Sequence, residues 1–163
     1  MHLQRMKQGY INVRRKFGVH GRILLDHESI QGQKTIYTLE SPWNFNKDEP
    51  NGILGVSCVP SATYTLSIEQ SPLNHKYYPF LVNEKMGVCL RAKNNAKDKT
   101  GHAFVDFDNM DPREIFGRFI LCGLGYRYDS KGYFIPTQTE EAVNILNTYI
   151  RESGDTSLTI SWN

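Results

Sequence analysis

Apolar and polar residues alternate along several short stretches of the chain, as they do in strands that bury one face of a sheet. The clearest stretch is TYTLSI, in which Tyr64, Leu66 and Ile68 alternate with hydroxyl side chains. Turns rich in glycine and polar residues separate similar stretches elsewhere, so the pattern predicts a β-rich protein. The predicted strands are 10–17, 22–25, 34–39, 63–68, 79–82, 87–92, 103–107, 118–123 and 157–162.

One long helix is predicted late in the sequence, over 137–153. Thr137 and Glu140 have the spacing of a capping box, and Gly154 is placed to end the helix in a left-handed conformation. The apolar residues between these ends recur at helical spacing, so we expect one face of the helix to pack on the sheet. This apolar stripe consists of Ala142, Val143, Leu146, Tyr149 and Ile150.

Two shorter patterns complete the predicted elements. The segment YRYDSKGYFIP indicates a β-hairpin, because 129–132 supplies turn residues between flanking aromatic residues. Pro112 directly after Asp111 favours a short helical turn over 111–116.

A chain of 163 residues has single-domain size and is long enough to bury one core. We therefore predict one domain over 1–163, with a β-rich body at 10–135 that is followed by the helix and the final strand. The predicted fold class is α+β and β-rich. It consists of a single mixed or antiparallel sheet system, or a partly closed barrel, with the C-terminal helix packed on it.

Charge and hydropathy exclude several function classes. The formal net charge is only +2, too small for the broad basic surface that phosphate-backbone binding requires, so we expect no nucleic-acid partner. No apolar run follows the charged first ten residues, and none elsewhere reaches the length of a bilayer span. We therefore predict neither a signal peptide nor membrane association.

Neither a metal nor a cofactor is expected. Cys58, Cys89 and Cys122 are odd in number and lie in separate apolar runs, which predicts buried thiols in a reducing compartment. The acidic turn DFDNMD at 106–111 has Met110 where a calcium loop needs a ligand, so a solvated turn is favoured. The glycines do not form a phosphate-binding loop before a helix.

The polar loop VCLRAKNNAKDKTGH follows an apolar strand and is a candidate functional site, because such loops often carry function. It contains Arg91, Lys93 and Asn94, whose cationic and amide groups suit polar contacts with a neighbouring subunit or a cell-wall polymer. The alternative is that the lysines of this loop form only a solvated rim.

The longest candidate loop, SPWNFNKDEPNG, contains two large aromatic residues, Trp43 and Phe45. Either these residues fold back onto the core, or they form an apolar patch that binds a partner. In the second case they are the anchors of an interface.

A cysteine nucleophile is the enzymatic alternative. A thiol needs a base or a positive environment to become a thiolate, so Cys122 would need an imidazole such as that of His102. Against this, Cys122 lies in FILCGLG, which is typical of a buried strand end.

Four short motifs occur in order along the chain: TLE at 38–40, VPSATY at 59–64, LRAKN at 90–94 and RFILCG at 118–123. They resemble the motifs of a family of small proteins from bacteriophages and bacterial genomes, a domain of unknown function. That family shows Thr-Leu-Glu, then Ile-Pro-Ala-Gly-Thr-Tyr, Ile-His-x-Gly-Asn and Gly-Cys-Ile, before a C-terminal helix. The resemblance extends over about 22–150.

The family histidine and cysteine resemble those of the L,D-transpeptidase-like fold, a β-rich scaffold in which a histidine-activated cysteine attacks a peptidoglycan peptide. Here Arg91 stands in place of the histidine. Depending on how a gap is placed, Arg118 or Phe119 stands in place of the cysteine, while another gap sets His102 there. Arginine stays protonated and phenylalanine has no nucleophilic atom, so the resemblance implies a site without its chemistry.

These observations predict a non-catalytic structural or interaction protein of a bacteriophage particle, in the tail or elsewhere in the virion, assembled in the host cytoplasm. The expected partners are other particle proteins, a second copy of the chain, or peptidoglycan. Two alternatives stay open: a cysteine-dependent enzyme that acts on peptidoglycan, and a cell-wall-binding module.

Overall fold

The computed structural model describes residues 1–6, 18–72, 74–91, 99–106, 119–130 and 132–163. The strands of these residues are β1 His2–Arg5, β2 Val19–His27, β3 Gly32–Glu40, β4 Thr63–Gln70, β5 Tyr77–Val82, β6 Val88–Cys89, β7 Lys99–Thr100, β8 Ala103–Val105, β9 Phe119–Gly123, β10 Gly125–Tyr128, β11 Phe134–Thr137 and β12 Ser157–Trp162. Their α-helix, α1, is Thr139–Ser153.

Eight of these strands form a closed barrel in the order β1, β12, β4, β5, β8, β9, β3, β2. Most neighbouring strands are antiparallel, but β1 runs parallel to β12 and β8 runs parallel to β9. The barrel closes at the seam between β1 and β12, where Leu3 lies opposite Ile160. This arrangement confirms the predicted α+β, β-rich fold with a mixed sheet and a helix packed on it.

Aliphatic and aromatic side chains from the barrel strands fill its interior. Leu66 of β4 lies opposite Leu81 of β5 in the register, and both side chains are buried. The predicted alternation of β4 is confirmed, since Tyr64 is buried while Thr63 and Thr65 are exposed. Burial of this apolar surface is the main favourable contribution to folding. The core includes Leu3, Ile23, Ile36, Tyr64, Leu66, Leu81, Phe104, Ile120, Leu158 and Ile160.

The helix α1 packs across one end of the barrel, called here the helix end. Its Asn147 donates a hydrogen bond to the carbonyl oxygen of Tyr77 at the start of β5, at 3.0 Å. The Tyr149 ring meets the His27 ring at the end of β2 edge-on, with 6.1 Å between centroids. The predicted apolar stripe forms this contact face, and its buried residues are Ala142, Val143, Leu146 and Ile150.

The two ends of α1 differ in how well the sequence predicts them. Gly154 ends the helix at φ 72°, and its N–H donates to the carbonyl of Ile150, as predicted. The predicted start at Thr137 is wrong, because this residue is the last of β11 and pairs with Gly125 of β10. Strand pairing holds Thr137 outside the helix, and Gln138 takes the N-cap position without a side-chain capping bond.

The predicted hairpin is formed by β10 and β11. Tyr128 lies opposite Phe134 in the antiparallel register, and the N–H of Gly132 donates to the carbonyl of Asp129 across the turn, at 2.9 Å. The hairpin covers part of the barrel wall, since the Phe134 ring stacks on His20 of β2 with 4.6 Å between centroids. Burial in this contact lowers the pKa of His20.

The close approach of β11 to the barrel depends on a glycine in β9. A Cβ atom added to Gly123 would lie 2.3 Å from the carbonyl oxygen and 2.7 Å from the backbone nitrogen of Thr137. Real Cβ atoms do not approach backbone atoms so closely, so only glycine fits here.

Several predicted strand limits change. The sheet begins at β1, before the predicted limit of residue 10. The sequence does not predict this strand, because its two buried residues are Leu3 and the charged Arg5, which do not form an apolar pattern. Within the described part of the predicted strand 87–92, the strand is Val88–Cys89, and Gly87 turns the chain at φ 70° immediately before it. The predicted strand 10–17 and helical turn 111–116 lie outside the described residues.

In the described part of the chain, neither α1 nor the short 3₁₀ helices Glu28–Ile30 and Glu84–Met86 are long and apolar enough to cross a bilayer.

Candidate functional site

The loop between β3 and β4 is held together by hydrogen bonds between its two halves. The N–H of Ile53 donates to the carbonyl of Asn44, and the N–H of Asn44 donates to the Ser57 hydroxyl oxygen, both at 2.9 Å. These bonds place residue 45 beside residues 54–56, which fixes the geometry of the loop surface.

The two aromatic residues of this loop have different environments. Trp43 is half-buried, whereas 59% of the Phe45 side chain is exposed. Their rings stack with 5.7 Å between centroids and an interplanar angle of 29°. The Trp43 ring therefore supports the ring of Phe45, which is an exposed apolar residue.

Two aliphatic residues extend the exposed apolar surface around Phe45. Leu54 is 43% exposed and Val56 is 51% exposed, although single exposed apolar residues are common and only a group of them indicates a contact surface. We call Phe45, Leu54 and Val56 the loop patch. The sequence does not predict Leu54 and Val56 as contact residues, because the run GILGVSCVP resembles a buried strand.

Arg91 lies exposed at the rim of a cleft of about 690 Å³ beside β4 and β5. Its guanidinium group is able to donate hydrogen bonds to a carboxylate or phosphate, but it has no lone pair with which to accept a proton. Lys93 and Asn94, the other predicted binding residues of this loop, lie outside the described residues. The cleft is lined by Glu69, Gln70, Pro72, Phe80, Val82, Glu84, Cys89, Leu90 and Arg91.

Cys122 of β9 lies inside the barrel wall with none of its side chain exposed. Its thiol donates to the carbonyl oxygen of Val105 on the neighbouring strand, at 3.5 Å. Burial raises the pKa of Cys122, and the negative charge of Asp106 raises it further. A cysteine nucleophile needs a lowered pKa and solvent access, and Cys122 has neither.

His102 is also buried and directly precedes β8. Its carbonyl accepts a hydrogen bond from the N–H of Leu81 at 2.8 Å. Val105, the contact of the Cys122 thiol, lies three residues further along β8, about 10 Å away at the usual rise per strand residue. His102 and Cys122, the base and the nucleophile of the enzymatic alternative, therefore lie several residues apart along the strand direction of the barrel wall.

A buried ion pair that the sequence does not predict lies at the barrel end opposite to α1. The Nε and Nη2 atoms of Arg5 each donate to a carboxylate oxygen of Glu40 at 2.8 Å, and both side chains are almost completely buried. Burial alone would lower the pKa of Arg5, but the Glu40 carboxylate raises it above its usual value.

The ion pair has further contacts and is closed to solvent. Arg5 Nη2 also donates to the carbonyl of Val59 at 2.7 Å, and the guanidinium lies 5.6 Å from the centre of the Trp162 ring. Burial raises the pKa of the nearby Cys58 thiol to about 12, so this cysteine stays protonated at neutral pH. Cys58, Cys89 and Cys122 are all buried free thiols, as predicted.

No group of three or more metal-ligating side chains is present within the residues that the structure describes, and Asp108 and Asp111 of the predicted acidic turn lie outside them. The described residues therefore offer an exposed apolar patch and a cleft whose charged lining residues are Arg91, Glu69 and Glu84. Comparisons of the chain with family models, curated proteins and solved structures found no match.

Proposed function

We propose that this chain is a non-catalytic structural or interaction protein of a bacteriophage particle. The observation that carries the non-catalytic part is the complete burial of Cys122, whose raised pKa keeps the thiol protonated. At the position that corresponds to the family histidine, Arg91 supplies a permanent cation in place of a base.

The interaction part of the proposal is supported by the loop patch. Phe45, Leu54 and Val56 expose apolar surface from a loop whose two halves are hydrogen-bonded together. A preformed apolar surface loses little conformational entropy when it binds, which favours its use as an interface. Arg91, which lines a separate cleft, provides a cationic group for a polar contact with a partner.

The phage assignment is supported by the four motifs that resemble the phage and bacterial family. The partners that we propose are other particle proteins, a second copy of the chain, or peptidoglycan, with assembly in the host cytoplasm. An enzyme that acts on peptidoglycan through Cys122, and a free cell-wall-binding module, are the competing functions.

Thiol labelling distinguishes the non-catalytic protein from the enzyme. A Cys58→Ser/Cys89→Ser variant retains Cys122 as its single cysteine. We expect no reaction of this variant with a maleimide within minutes at pH 7, because the Cys122 thiol is buried and protonated. Complete labelling in denaturant is the control. Rapid labelling of the folded variant that is lost on His102→Ala would instead support the enzyme.

Substitution of the loop patch tests the interaction function. Phe45→Ser/Val56→Ser should leave the free energy of unfolding within roughly 0.5 kcal/mol, because both side chains are exposed. We expect wild-type protein to co-sediment with particles from a host that carries the gene, and the variant to remain unbound. Leu24→Ser is the matched control, since Leu24 of β2 is 68% exposed and lies outside the loop.

Three outcomes would contradict the proposal. These are equal incorporation of the patch variant and wild type, absence of the wild-type protein from purified particles, and cleavage of peptidoglycan by the purified protein. Binding of monomeric protein to isolated cell walls, without incorporation into particles, would favour the cell-wall-binding module.

A further inference from the structure

We draw no further inference here: the strongest candidate, the cavity of about 240 Å³ beneath α1 at the helix end of the barrel, carries no proposal, because the residues directly after its buried Asp106 lie outside the described residues and the structure does not show every group that faces this carboxylate.

Discussion

Glu40→Ala is expected to lower the free energy of unfolding by about 3–5 kcal/mol, the range for a buried ion pair that loses one partner. The Arg5 guanidinium is completely buried, and removal of Glu40 takes away both of the 2.8 Å hydrogen bonds that compensate its charge. The remaining described bond, to the Val59 carbonyl, leaves most of the guanidinium unsatisfied. Urea unfolding monitored by tryptophan fluorescence measures the change.

Two controls separate the loss of charge balance from the loss of contacts. Glu152→Ala removes an exposed carboxylate and should change stability by no more than about 0.5 kcal/mol. Arg5→Met/Glu40→Leu replaces both charges with apolar groups and should recover much of the stability that the single variant loses. A Glu40→Ala protein as stable as Glu152→Ala would show that the guanidinium is satisfied in another way.

Gly123→Ala is expected to destabilise the protein by about 3 kcal/mol, at the upper end of the cost of overpacking. The added methyl group meets the backbone of Thr137 at 2.3 Å and 2.7 Å, and backbone atoms of a paired strand do not move aside as a flexible side chain does. We expect the urea midpoint to fall, with the hairpin of β10 and β11 displaced from the barrel.

Gly125→Ala is the matched control for this substitution. The nearest atom to a Cβ at Gly125 is the Thr137 hydroxyl oxygen, at 2.8 Å, which moves by a rotation of its side chain. We therefore expect this variant to lose clearly less stability than Gly123→Ala. Equal losses in the two variants would contradict the importance of close backbone approach at β9.

The sequence predicts the parts of the fold whose cause is local. The alternation of β4, the turn before Gly132 and the helix stop at Gly154 each depend on neighbouring residues, and each is confirmed. The start of α1 is not predicted, because pairing of Thr137 with β10 outweighs the capping preference of the same residue. Tertiary pairing also explains the missed strand β1, which contains the buried Arg5.

The candidate sites are predicted less completely than the fold. Phe45 is found from the unusual aromatic content of its loop, whereas Leu54 and Val56 resemble core residues until the loop folds. The cavity beneath α1 brings together Asp106 and Asn147, which are 41 positions apart in the sequence and have no common motif. Only the packing of the helix across the barrel end brings these residues together.

The parallel seam between β1 and β12 has a consequence for synthesis of the protein. His2 pairs with Thr159 and Arg5 pairs with Trp162, so the earliest and latest described strands must meet before the wall is complete. We therefore expect β1 to stay unpaired with β12 until residue 162 has left the ribosome. Because pairing across such a distance in sequence forms slowly, the edge of β1 is exposed to pairing with other chains during this interval.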